Sequence, residues 1–479
     1  MKELCERAVD AAVGAGAAYA DARVVERRSQ LVAARDGLVE AVDDSESAGI
    51  GVRVLAGGAW GFACDRRLDD AGARDAALRA LAFAKAGAAS RGAVELVPLA
   101  PQRGMYRTPA QHDPVEVPLA EKVALCLRAD EGLRSAPEVT TSEAFVRARR
   151  ERRWFGSSDA SATFQEVLEC GGGIEAVAVR DGVVQTRSYP SAHGGSSAQA
   201  GWEHVVGLGF EREAPRVAEE ACALLRADPC PAMTTTVVID AEQMLLQVHE
   251  SVGHPTELDR IYGMEAAYAG TSFLRPDDLG RLRYGSPLMN VTADPTTPEG
   301  LGTFAFDDEG VPAEPQPIVR DGLLAGFLAS RETAAMLGQG SGGSMRADGW
   351  SRMPLVRMTN LHLEPGEGSL DDLLADVDEG IFFATNRSWS IDDKRLNFQF
   401  GTQVAREIRN GKLGRLFRDA TYTGITPVFW ASMDALAGPE EWRLQGVTNC
   451  GKGQPGQSAH VSHGAPPARF RDVQVGVQS

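Results

Sequence analysis

Two runs near the start of the chain, QLVAARDGLVEAV (30–42) and IGVRVLAGGAWGFAC (50–64), interrupt β-rich sequence with Asp36-Gly37 and Gly57-Gly58. Two-residue turns of this composition match the twist of paired strands, so both runs predict hairpins. The apolar spacing then changes from two to about 3.6 residues in DAGARDAALRALAFAKAGA and PLAEKVALCLRADEGL, which predicts helices. A similar block returns as FVRARRERRWFGSSD, ATFQEVLECGGGIEAVAVRDGVVQTRS and the helix REAPRVAEEACALLRA. Residues 1–228 therefore read as one α+β domain, built either of two related halves or of two unrelated hairpin-and-helix units.

At 479 residues the chain is too long for one ordinary core. ADPCPAM (227–233) carries the proline of a linker, and beyond it short β-like runs such as TTTVVID, LVRMTNLHLE and GIFFATN are joined by glycine turns. Residues 233–479 thus predict a mostly β domain, a barrel or sandwich with a few helices, within an α+β chain. The net charge of -17 would repel nucleic acid and anionic lipid. No stretch approaches the roughly 20 apolar residues that span a bilayer, and the start lacks the apolar core of a signal peptide. Seven cysteines without framework spacing suit a reducing compartment, with the cytoplasm as the expected location.

One predicted helix carries LLQVHESVGHPTELD (245–259), which puts two of the chain's eight histidines beside a glutamate. Asp240 is a natural N-cap, with Gln243 placed for a capping box. Ala241, Met244, Leu245, Val248 and Val252 form a core-facing stripe, leaving Leu246, His249, Glu250 and Gly253 on another face. Positions five apart diverge by roughly 140° on a regular helix, so His249 and His254 cannot share an ion unless the turn is widened. Gly253 tolerates distortion and Pro255 disfavours helical dihedrals at His254, so an i→i+5 turn or a helix end is expected there. Glu250 would then stand beside the metal as a general base toward water.

A hydrolytic metal site usually takes three protein ligands. Cys450 is the expected third, because it alone among the cysteines lies in a glycine-rich, turn-like context, and the adjacent Lys452 favours a thiolate. His460 and His463 compete for that role. As a fourth ligand either would make the metal structural and the protein a peptide-binding scaffold, in which Glu250 would have no task. Gly451 and Gly453 are candidate oxyanion donors, or part of a loop with no catalytic role. Asp307 to Gly310 reads as a solvated acidic turn rather than a second metal site.

These motifs resemble the TldD/PmbA modulator-of-gyrase family of metallopeptidases, on its catalytic TldD side. The resemblance runs from AYADARVVERRSQLVAARDGLVEAVDDSESAGIGVRVLAGGAWGFA through HESVGHPTELD, FDDEGVP and VRMTNLHLEPGEGSLDDLLADVDEGIF to NCGKGQPGQ. It implies Zn2+ held by His249, His254 and Cys450, with Glu250 as catalytic base. It also implies a cavity-enclosing dimer, either with a related PmbA/TldE-type subunit or with a second copy, that cleaves unfolded peptide in precursor processing or turnover. Trp389 and Phe398 in ATNRSWSIDDKRLNFQF, and His460 and His463 in the tail, depart from the family pattern and mark a subgroup.

Overall fold

Both glycine turns form hairpins. In the computed structural model, which describes residues 1–88, 93–192, 194–340, 343–454 and 456–476, strand Tyr19–Arg35 turns through Asp36 and Gly37 (φ 51° and 84°) into Leu38–Ala56. Gly57 and Gly58 (φ 60° and 77°) lead on into Ala59–Asp65. Asp181 and Gly182 repeat the device between Ala162–Arg180 and Val183–Tyr189. Positive φ at both central residues gives the turn that twisted strands select.

Helices Lys2–Gly14 and Asp70–Gly87 flank the first strand triplet, and Leu119–Leu133 and Phe210–Leu225 flank the second. The two sets join where Tyr19–Arg35 pairs antiparallel with Val139–Ser157, Arg28 opposite Arg150, in one eight-stranded sheet. Small residues allow helix and sheet backbones to approach closely. A Cβ at Gly61 would lie 2.0 Å from the Ala80 carbonyl oxygen. Each set of helices buries its own apolar cluster, one around Val24, Val52, Ala76 and Ala80, the other around Val146, Ile174, Ala214 and Val217.

The expected linker is tied down: Asp228–Pro229 pairs with strand Lys412–Arg418, and the Cys230 N–H donates to the Arg418 carbonyl. Beyond it, Met233–Ile239, Glu379–Ile391, Asn397–Arg409, Ala420–Ile425 and Ala468–Val475 pair in a ring and close a five-strand barrel. Phe398, Phe400, Tyr422, Phe429 and Phe470 stack within its core. A six-stranded sheet lies alongside and ends in the pair Gln457–Ala465 and Arg443–Lys452. The α+β class and the strand-rich second half agree with the sequence reading.

Asp307, Asp308 and Glu309 depart from it. They are buried, not solvated. Asp308 accepts from Arg153 at 2.7 Å, Glu309 from Arg53 at 2.9 Å, and Asp307 from the backbone N–H groups of Glu309, Val311 and Met345. The acidic turn therefore docks the second half of the chain onto the arginines of the N-terminal sheet. Buried charge persists only with such partners.

Candidate metal centre

Strand Met233–Ile239 leads directly into helix Ala241–Val248. Asp240 is its N-cap, but the capping box is absent: the Gln243 amide donates instead to the Tyr422 hydroxyl at 2.9 Å, inside the core. At His249–Gly253 the helix widens into a π turn, in which the His254 N–H reaches back to the His249 carbonyl. This is the i→i+5 geometry that the spacing demands. It turns both imidazoles to one side, with ring centroids 4.8 Å apart.

Two details differ from expectation. His254 keeps helical dihedrals (φ -60°, ψ -40°) despite Pro255, which sits in the 3-10 turn His254–Thr256. The Ser251 carbonyl, which a proline at 255 cannot serve, accepts from the Tyr284 hydroxyl, and the Thr256 hydroxyl serves Val252 and Gly253. Gly253 also has ordinary helical angles (φ -59°, ψ -66°). A glycine is required there because a Cβ would lie 2.0 Å from the Met358 sulfur.

Cys450 is buried on strand Arg443–Lys452, not in an open turn, and a bulge between Val447 and Cys450 interrupts the ladder there. Ligating atoms of His249, His254 and Cys450 all lie within 4.8 Å of one another. The Cys450 Sγ is 3.8 Å from His254 Nε2. The outer nitrogens are occupied: His254 Nδ1 meets Glu257 Oε2 at 2.9 Å, and His249 Nδ1 meets His463 Nε2 at 2.7 Å. Each ring thereby keeps Nε2 available for an ion.

Electrostatics prepare the same three groups. Burial lowers the basicity of both imidazoles against the pull of Glu250 and Glu257, which favours neutral rings. Burial pushes the Cys450 thiol up, but Arg357 and then His254 outweigh it, and the net shift is downward. Lys452, expected to favour the thiolate, instead lies 2.8 Å from Asp259 and 3.2 Å from Glu257. Arg357 is the cation that serves Cys450, and it also donates to its carbonyl oxygen. Burial works against ionisation of Glu257 as well, but Lys452, His254 and Arg260 hold it well below the usual carboxylate range.

Glu250 stands outside the cluster, with Oε2 accepting from Arg395 Nη1 at 2.9 Å. It shares a cavity of about 240 Å3 with His249, His254, Cys450, Trp389 and Arg395. His460 and His463 lie on strand Gln457–Ala465, buried rather than on an open loop in the case of His463. His460 turns away to Glu169 (2.6 Å) and Arg149. Sequence reasoning missed Arg357 and Arg395, which are remote in the chain from the histidines and have no metal-ligand spacing around them. It also missed Glu257, whose signal was its position three residues after His254.

Two imidazoles of lowered basicity and a thiol of lowered pKa, with a carboxylate beside them at a cavity, form the donor arrangement of metal-dependent hydrolases. Three family models match in chain order: PmbA/TldA metallopeptidase domain 1 over residues 20–84, the central domain over 112–227 and the C-terminal domain over 232–477. The chain belongs to the PmbA/TldD family, and it is a metallopeptidase. A metalloprotease of Methanothermobacter thermautotrophicus is 29% identical, across 96% of this chain and 95% of that one. One from Synechocystis is 31% identical across 95% and 94%. A Saccharolobus solfataricus protein named zinc metalloprotease TldD homolog is 24% identical across 50% and 51%. Among solved structures, TldE from Thermococcus kodakarensis shares the fold, with a TM-score of 0.77 at 16% identity over 99% of this chain and 100% of that one.

Proposed function

We propose that this metallopeptidase is a zinc enzyme cleaving extended, unfolded peptide, with His249, His254 and Cys450 as metal ligands and Glu250 as general base. The observation that carries this reading is the convergence of the three donors on the wall of a cavity that Glu250 also lines. Zinc–nitrogen bonds of about 2.0 Å and a zinc–sulfur bond of about 2.3 Å put tetrahedral ligands roughly 3.3–3.5 Å apart, so the donors, which lie within 4.8 Å of one another, would close on zinc by about 1 Å. The name of the Saccharolobus relative supports the same ion.

Bound there, zinc would supply Lewis acidity toward a peptide carbonyl and toward water. Glu250 takes the proton as water attacks and returns it to the leaving amine. Arg395 holds that carboxylate toward the cavity. Strand Arg443–Lys452 ends its sheet, and its residues Gln445, Gly446, Val447, Asn449, Cys450 and Gly451 line the cavity, so an extended substrate would pair along that edge as an added strand. A cavity of this size would admit a single chain and exclude folded protein.

The chain divides, in this reading, into residues 1–228 and 233–479, and pairs with a related TldE-type subunit or a second copy. The structural likeness to TldE supports such an assembly. All seven cysteines are free, which favours the cytoplasm, and no helix among the described residues is long and apolar enough to cross a membrane.

Chelation is expected to abolish hydrolysis of an unstructured peptide, with recovery on adding zinc, while a folded protein stays intact. Hydrolysis that persists in metal-free protein would overturn the proposal. Glu257→Gln is expected to weaken zinc binding about 10–100-fold, as measured by competition with a chromophoric chelator, because the His254 ring keeps an acceptor at Nδ1 but loses the carboxylate charge that raises its basicity.

A further inference from the structure

Glu242 has no part in the chemistry proposed above, yet it lines the same cavity. It lies on helix Ala241–Val248, with Leu246 one turn further along the same face and Glu250 two turns further. Leu246 and Leu245 also line the cavity, as does Val447 from the opposite strand. An apolar path therefore runs from the metal centre to a carboxyl group.

That carboxyl group is positioned, and among the described residues it makes no ion pair. The hydroxyls of Thr385 and Ser191 bond to it. Arg187, the cation that acts on it, is engaged with Glu220 at 2.7 Å and with the Thr385 hydroxyl at 2.8 Å. Burial pushes Glu242 up to about 7. A cationic ligand group entering the cavity would relieve this cost, because an opposite charge favours the ionised carboxylate.

We infer that Glu242 forms a subsite for a lysine or arginine side chain of the peptide substrate, three or four residues from the bond that is cut. Eight residues of helix separate Glu242 from Glu250, roughly 12 Å at 1.5 Å per residue. An extended peptide covers that span in three to four residues at about 3.3 Å each. The aliphatic stem of the side chain would rest on the apolar wall of the cavity and its charged end would reach Glu242, the division that long cationic side chains adopt at apolar surfaces. The chain's net charge of -17 also attracts cationic peptides. This inference rests on the peptidase reading only for the position of the cut bond.

The test uses a set of neutral, N-acetylated peptides in which one lysine is moved through each position, with norleucine as the uncharged match. Cleavage by the zinc-loaded full-length chain should favour lysine at one position, three or four residues from the cut, by about tenfold or more in kcat/KM. In Glu242→Gln that ratio should fall towards one, and Glu242→Asp should keep part of it. Binding of the same lysine and norleucine pair to Glu250→Gln protein, read by fluorescence anisotropy, should show the same preference without turnover. If no peptide is cut, the peptidase reading fails, while the binding comparison still decides the subsite. Equal binding of lysine and norleucine peptides, or a preference that survives Glu242→Gln, would overturn the inference. So would a preference found only in peptides with a free N-terminus, which would mark recognition of the α-amine instead.

Discussion

Glu250→Gln is expected to lower kcat for peptide hydrolysis by about 10²–10⁴-fold while the protein keeps its metal. Glutamine has the shape of glutamate and retains an oxygen that can accept from Arg395, which lies 2.9 Å from the native carboxylate. It cannot take a proton from water. Because Glu250 stands outside the donor cluster, removing its charge should leave the metal content near that of the wild type. Steady-state kinetics with metal analysis on the same sample separate the two effects. Full activity in Glu250→Gln would require another base, and loss of the metal would place Glu250 among the ligands.

Cys450→Ala is expected to remove the metal. The fall in zinc affinity should exceed the roughly 10–100-fold that follows loss of an outer partner such as Glu257, because a direct thiolate ligand disappears. The substitution is small and falls in a packed core, so the fold should survive it. Cys450→Ser separates size from chemistry: it fills nearly the same volume with a hydroxyl that ionises far less readily. Stoichiometric zinc in Cys450→Ala after dialysis would mean that the site is completed by another group, with His463 the nearest imidazole to His249 at 2.7 Å.

The parts of this architecture with a local cause were legible in the sequence. Asp-Gly and Gly-Gly pairs specify their turns through backbone sterics, and the two expected turns, Asp36-Gly37 and Gly57-Gly58, both appear. The five-residue histidine spacing likewise demanded a widened helical turn, and the π turn at His249–Gly253 supplies it. What depended on distant packing was not legible. Gly253 is explained by Met358, more than a hundred residues away in the chain, rather than by its own dihedrals. The acidic turn at Asp307 looks solvated in sequence because Arg23, Arg53 and Arg153 reach it only after the N-terminal sheet has formed.

Charge partners followed the same rule. Lys452 is two residues from Cys450 and so shares its face of the strand, but three carboxylates, Glu257, Asp259 and Glu265, claim its ammonium instead of the sulfur. Arg357 comes from another segment to serve the sulfur. His463 was visible as a residue with metal-binding chemistry. Its contact with His249 depends on strand register, which motif spacing does not reveal.

X-ray absorption at the zinc edge of the metal-loaded protein tests the ligand set most directly. One sulfur near 2.3 Å and two imidazole nitrogens at about 2.0–2.1 Å are expected, with the sulfur contribution absent from any metal that Cys450→Ala still holds. A shell without sulfur in the wild type, or one with three imidazoles, would contradict the assignment of His249, His254 and Cys450.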